Sequence, residues 1–198
     1  KDTAFEFFLD SGPFAILPMK NKKKLNQSSI VWTNEPKYLE ELINLKNEYM
    51  SLILNNIISP HIGKVHKIFN KQIFPLSAHI NSSFFDKRTV YIGDAAHSFH
   101  PIAGQGWNLG VKDIKKLYEI SKNFLSLGLD LGSYTFCKNF NNETYFEAYR
   151  LYQITDKLDY LFRQKNSIIK FGRFSGINYI KNKEKIKNFL SDFAMGLN

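Results

Sequence analysis

The stretch Val90-Tyr91-Ile92-Gly93-Asp94-Ala95-Ala96-His97-Ser98-Phe99-His100-Pro101-Ile102-Ala103-Gly104-Gln105-Gly106-Trp107-Asn108-Leu109-Gly110-Val111-Lys112-Asp113 decides the reading of this 198-residue chain. A short apolar strand, Val90–Ile92, runs into Gly93-Asp94. Pro101 sets the chain direction, and a loop with glycines at 104 and 106 opens an amphipathic helix. A carboxylate just past a strand end stands where ligands of such folds bind. Gly93 permits a ligand to approach the backbone closely. Asp94, when ionised, accepts hydrogen bonds from hydroxyls such as those of a ribityl or ribose chain. Gly104 and Gly106 clear the path of a flat ring and allow positive φ. The N–H groups around Gly106–Leu109 are first-turn donors at a helix N-terminus, a place that stabilises negative charge. Asn108 either adds a side-chain contact or caps the helix.

Upstream, the pattern reads as strands. Thr3–Leu9 alternates loosely, Gly12-Pro13 punctuates, and Phe14–Met19 is a compact apolar run. Asn21–Asn26 reads as a hairpin loop in which Lys22–Lys24 form a solvated turn, with Ser29–Thr33 as the returning strand. From Pro36, the residues Leu39, Leu42, Ile43, Leu45, Tyr49, Leu52 and Ile53 recur at helical spacing, and Pro60 closes the segment. Lys64–Leu76 reads as one or two strands, with Phe74-Pro75-Leu76 too proline-marked to be central. The charged turn Phe84-Phe85-Asp86-Lys87-Arg88 leads into Val90–Ile92.

Downstream, Ile114, Leu117, Tyr118, Ser121, Phe124 and Leu125 predict one helical face, ending at Gly128. A long helix is predicted over Ser133–Gln164, its buried stripe being Cys137, Phe140, Tyr145, Ala148, Tyr149, Tyr152, Leu158, Leu161 and Phe162. Two shorter helices follow, around Ile168–Ile180 and Lys183–Phe193. Strands followed by helices predict an α+β arrangement. The organisation expected is a β-sheet region with one helix at 1–88, a ligand-contacting region at 89–128 and a helical region at 129–198.

Composition bounds the function. A hydrophobic share of 43%, with 15% aromatic residues, indicates a folded core and excludes disorder. No apolar run approaches the ~20 residues of a membrane span. The chain opens Lys1-Asp2-Thr3-Ala4-Phe5, without Met and without a secretory leader, and is read as a piece of a longer product. The lone Cys137 excludes an internal disulfide and fits a reducing compartment. The net charge of +9 comes from 23 Lys and only 4 Arg. Arginine suits bidentate phosphate and base contacts, so its scarcity argues against a nucleic-acid partner. The excess is partly local: six basic residues and one acid, Glu184, lie between Lys170 and Lys187, which suits an anionic membrane surface.

Read singly, the motif residues have plainer uses. Asp94 could cap a helix, and Asp113 is most simply a helix-surface or packing residue. His97 and His100 lack the further ligands a metal site needs, so no metal is expected. His97 reads as a satisfied turn histidine and His100 as the better site-lining candidate.

Taken together, Gly93-Asp94-Ala95-Ala96-His97 followed by His100-Pro101-Ile102-Ala103-Gly104-Gln105-Gly106-Trp107-Asn108-Leu109-Gly110-Val111-Lys112-Asp113 resembles the second flavin-contacting motif of class A flavoprotein monooxygenases. Within that class the pattern is similar to the ubiquinone-biosynthesis hydroxylases of the 2-polyprenylphenol and 2-polyprenyl-6-methoxyphenol type. Gly12–Met19 looks like the family strand that covers the flavin ring, Ser29–Thr33 like its hairpin partner, and Phe74-Pro75-Leu76 like the segment before the motif strand. The whole chain thus resembles the C-terminal half of such an enzyme. The family's N-terminal βαβ unit with Gly-x-Gly-x-x-Gly has no counterpart before residue 90, and a fragment, inactive alone, is the expected reading.

The resemblance implies FAD as cofactor and NAD(P)H as electron donor. It implies hydroxylation of a phenolic, polyprenylated ring with O2 through a flavin C4a-hydroperoxide. Gly93, Asp94, Pro101, Gly104, Gln105, Gly106, Asn108 and Leu109 would contact the cofactor, and His100, Phe14, Ile16 and Pro18 would line the substrate. No protein nucleophile is implied, because the cofactor carries the chemistry. Expected partners are the polyprenylated phenol, a peripheral contact with the inner membrane from the cytoplasmic side, and other ubiquinone-biosynthesis proteins or a second copy. The competing readings are a related flavoprotein acting on a soluble aromatic or a polyene, and a non-catalytic lipid- or protein-binding partner that keeps the fold.

Overall fold

The computed structural model describes residues 3–20, 26–100, 104–164 and 166–194. The Lys22–Lys24 turn and Pro101 lie outside them. Two compact units divide at Leu76 and Ser77, upstream of the 88/89 boundary expected from sequence. The reason is local: Phe84, Phe85 and Val90 pack with the helices that follow them.

The first unit is a three-stranded antiparallel sheet, β1 (Phe5–Leu9), β2 (Gly12–Met19) and β3 (Gln27–Trp32), in that order, followed by α1 (Pro36–Asn44) and α2 (Asn47–Ile62). The tight β1–β2 turn needs Gly12, whose φ is 134°. A Cβ there would stand 2.6 Å from the Thr33 carbonyl oxygen, while the Thr33 N–H donates to the Pro13 oxygen at 2.9 Å. Phe14 and Ile16 alternate inward from β2 and meet Leu54 and Ile58 of α2, with Trp32 and Met50 at the margin.

Two expectations are corrected here. The helix expected to run unbroken to Pro60 breaks at Leu45 and Lys46, both extended. The Leu45 carbonyl freed by the break accepts from Lys71 Nζ at 2.6 Å. Pro60 does not end α2 but sits in its last turn, before Gly63 at φ 94°. The strands expected over Lys64–Leu76 do not form. Side-chain amides of α2 take their place: Asn55 Oδ1 accepts from the Val65 N–H at 2.7 Å, and Asn47 Nδ2 donates to the Ile68 carbonyl at 3.3 Å. Such bonds satisfy a backbone that has no ladder.

The second unit holds two small antiparallel pairs. β4 (His79–Ile80) pairs with β7 (His97–Ser98), and β5 (Phe85–Asp86) pairs with β6 (Thr89–Val90). Four helices follow: α3 (Gln105–Ser126), α4 (Tyr134–Arg163), α5 (Ser167–Lys181) and α6 (Glu184–Ala194). The α+β class holds. Phe84, Ala96, Leu109, Phe140, Ala148 and Leu151 form the main core, extended by Phe124, Phe136 and Cys137.

The long helix matches its sequence prediction, with Ser133 Oγ accepting from the Phe136 N–H at the N-cap and Gln164 at the C-cap. Its buried stripe is Phe136, Cys137, Phe140, Thr144, Ala148, Leu151, Thr155 and Asp159. Tyr149 and Leu161, expected inside, are exposed. The two threonines can be buried because their hydroxyls donate back to the Phe140 and Leu151 carbonyls at 2.8 and 3.0 Å. In α3 the buried face is turned from the one expected. Leu109, Asp113, Leu117, Ile120 and Phe124 face inward or half-inward, and Ile114, Tyr118 and Leu125 face outward.

Candidate flavin-contacting site

The segment that leads into the motif is tied to α4 through Phe84. The Phe84 N–H donates to Asn141 Oδ1 of α4 at 2.8 Å, and the Tyr91 N–H donates to the Phe84 oxygen at 2.8 Å. Gly93–Ala95 then form a single 3₁₀ turn, with Gly93 at φ 54° and the Ala96 N–H returning to the Gly93 carbonyl at 2.9 Å. Asn81 fastens the far side of the turn. Its backbone N–H donates to the Ala96 oxygen and its Nδ2 to the Ala95 oxygen, at 3.0 and 2.9 Å. Asp94 is left exposed at the crest.

The turn is joined to α3 by Asp113. One oxygen of this buried carboxylate, Oδ2, accepts from the Gly93 N–H at 3.0 Å and from His97 Nε2 at 2.8 Å. Both side chains are almost wholly buried. His97 is wedged between Phe84 and Phe99, ring centroids 5.4 and 5.0 Å away, and its Nδ1 has no hydrogen-bond partner among the described residues. Gly110 lies one turn of α3 before Asp113, where a Cβ would meet Gly93 Cα at 3.7 Å. Helix and turn are therefore in close register. Of the two roles expected of Asp113, helix surface or helix packing, the surface one is corrected: buried, it links the helix to the turn.

At the other end of the loop, Gly104 is the N-cap of α3 in the left-handed region at φ 61°, with no side-chain cap. Asn108 is thus inside the helix rather than its cap, and Gly106 is helical rather than at positive φ. The helix begins at Gln105, so the first turn lies one residue earlier than the Gly106–Leu109 donors expected from sequence. Asp94, Gly104 and Asn108 are exposed, and Gln105 and Gly106 half-buried. Leu109 points into the core against Phe84 and Phe140, so only its backbone could serve a ligand. Trp107, 81% exposed in the first turn, had no assigned part in the sequence reading.

His100 is half-buried, with Nε2 4.0 Å from Asp159 Oδ2 of α4. Asp159 in turn accepts from Arg163 Nε at 2.9 Å, a pairing the apolar pattern of α4 did not disclose. Phe14 and Ile16, expected to line the substrate, are packed in the first unit's core at 0% and 2% exposure. Pro18, at the open end of β2, is exposed. Among the described residues no group of three or more His, Cys, Asp or Glu could hold a metal ion.

An open turn bearing a carboxylate, stapled to a glycine-capped helix N-terminus, defines a class. Residues 3–123 match the FAD binding domain family model, and the chain belongs to that family. Among individual proteins, it is 32% identical over 193 residues to ubiquinone hydroxylase UbiL of Rhodospirillum rubrum, covering 98% of this chain and 44% of that protein. It is 26% identical over 233 residues to the mitochondrial ubiquinone biosynthesis monooxygenase COQ6 of Schizosaccharomyces pombe, covering 98% and 48%. It is 26% identical over 196 residues to 3-demethoxyubiquinol 3-hydroxylase of Escherichia coli K12, covering 99% and 49%. The chain thus spans just under half the length of these relatives. The crystal structure of pqsL, a probable FAD-dependent monooxygenase from Pseudomonas aeruginosa, shares the fold with a TM-score of 0.56 at 15% identity, over 88% of this chain and 50% of that one.

Proposed function

We propose that this chain supplies the second flavin-contacting half of an FAD-dependent hydroxylase acting on a phenolic, polyprenylated ring in ubiquinone biosynthesis. The observation that carries the reading is the Gly93-Asp94 turn locked through Asp113 to α3, the helix that Gly104 caps. The residues fit the cofactor. Gly93 and Gly104 both have positive φ, and among the described residues a Cβ at either would meet nothing within 4 Å, which leaves room for a ligand there. Asp94 offers acceptor oxygens to ribityl hydroxyls. The first-turn N–H groups of α3 favour negative charge on a ring edge. Reduced flavin supplies the oxygen-activating chemistry when bound, with NAD(P)H as the proposed donor of electrons.

The protein's own part is position and dryness. Asp94 holds the cofactor's polar chain, Gly104–Asn108 border its ring, and His100, its Nε2 4.0 Å from Asp159 Oδ2, lines the substrate side. Residues 1–88 would form the substrate-side sheet, 89–128 the flavin region and 129–198 the helical region. A polyprenylated substrate suits a peripheral contact with the inner membrane from the cytoplasm. No helix among the described residues is long and apolar enough to cross a membrane.

The test is the visible spectrum of protein purified from the complete genomic reading frame, beside its Asp94→Ala variant. Bound flavin in the parent, with FAD affinity at least tenfold lower in the variant, is expected. A variant that retains stoichiometric, tightly held flavin refutes the role of Asp94.

A further inference from the structure

The last two helices present their apolar residues outward. In α5 no residue is buried, and Ile168, Phe171 and Phe174, three apart and so on one side of the helix, are 80%, 72% and 66% exposed. In α6, Ile186, Phe189 and Leu190 share a face at i, i+3 and i+4 and are likewise exposed. Solvated large apolar side chains at this density mark a contact surface. The two helices touch each other, and Arg173 ties α5 to the end of α4 by donating to the Leu161 and Phe162 carbonyls at 3.1 and 2.8 Å.

The charge around these stripes selects the occupant. Lys181, Lys183, Lys185 and Lys187 are exposed at and beyond the α5–α6 junction, with Glu184 the only acid among them. Lys183 Nζ lies 5.8 Å from the Tyr179 ring centroid, so cation and aromatic surface are presented side by side. Phe and Leu on one side of a helix with lysines flanking them is the pattern of a helix that lies in a bilayer interface rather than across it.

We infer that α5 and α6 dock the protein on an anionic lipid surface. Ile168, Phe171, Phe174, Phe189 and Leu190 enter the boundary between headgroups and acyl chains, and Lys181–Lys187 meet the lipid phosphates. The inference names the surface and lipid chemistry behind the membrane contact proposed above. It does not depend on the flavin assignment.

The experiment is co-sedimentation of the full chain with vesicles of phosphatidylcholine alone and of phosphatidylcholine mixed with phosphatidylglycerol. The expected result is at least tenfold stronger binding to the mixed vesicles, weakened by salt. Lys185→Gln with Lys187→Gln should weaken that binding about fivefold per lysine, the effect of one cation at a charged bilayer. Phe171→Ser with Phe174→Ser should weaken it at least tenfold. All four positions are exposed, so both variants should keep the parent's circular dichroism.

Protein left in the supernatant with both vesicle types, equal binding to both, or variants that bind like the parent would each overturn the inference. So would a concentration-dependent dimer in sedimentation velocity that Phe171→Ser with Phe174→Ser dissolves, since the faces would then belong to a second copy. Loss of flavin with vesicle binding intact would count against the flavin reading alone.

Discussion

Asp113→Ala tests the logic of the site directly. The substitution removes the one oxygen that serves both the Gly93 N–H and His97 Nε2. A buried donor on His97 and a part-buried one on Gly93 lose their acceptor, and the His97 ring, whose Nδ1 already lacks a partner among the described residues, is left bare at both nitrogens. Each orphaned donor costs about 1–3 kcal/mol. Relief of the buried carboxylate's desolvation offsets part of this, leaving a net loss of about 3 kcal/mol, in line with breaking one side of a buried polar pair. The loss is read from urea unfolding followed by circular dichroism, and locally from faster hydrogen exchange of the Gly93 amide. His97→Ala should destabilise as well, by stranding the carboxylate. The double variant should then cost about 1–2 kcal/mol less than the sum of the singles, because the two share one interaction. A loss under about 1 kcal/mol with additive singles, as a surface position would give, refutes the assignment of Asp113 as the link between turn and helix.

Two further outcomes follow from positions outside the flavin loop. Gly12→Ala places a Cβ against the Thr33 carbonyl at φ 134°; because backbone rather than a movable side chain blocks it, the first unit should lose about 3 kcal/mol, and a urea midpoint close to the parent's would refute this. Asp130 concerns pH: the side-chain bond from Arg88, and then the Gly132 N–H, hold its carboxyl below the usual carboxylate range. A depressed folded pKa contributes stability that is present above the unfolded value, about 3.9, and fades as pH falls through the folded one. The gap in thermal midpoint between the parent and Asp130→Asn should therefore be largest near neutrality and close below about pH 3; a gap independent of pH counts against the pairing.

How far the sequence could be read depended on whether a feature was local. Ser133 and Gln164 mark the ends of α4 because a cap and a helical period are written in adjacent residues. The Gly93-Asp94 turn and the positive φ at Gly104 were legible for the same reason. The break at Leu45 was not, since it rests on Lys71, 26 residues away. The loop that replaces the strands over Lys64–Leu76 was hidden likewise, because amides of α2 satisfy its backbone. Asp113 was misjudged because a charged residue in a helix is ordinarily at the surface. Its place between Leu109 and Leu117 at four-residue intervals was the available signal. Phe14 and Ile16, read as a substrate wall, show that an apolar stripe also serves as core, a use that their spacing alone does not distinguish.

The bond between Asp113 and the Gly93 amide also clips the ends of a 20-residue separation in the chain. Bringing such ends together costs conformational entropy, its length-dependent part on the order of 2–3 kcal/mol. Here that cost is met during folding, by a buried carboxylate, rather than at the moment a ligand arrives. Under the proposed function, a cofactor reaching this loop would find the turn and the helix already joined, and its binding energy would go into affinity instead of into gathering the chain.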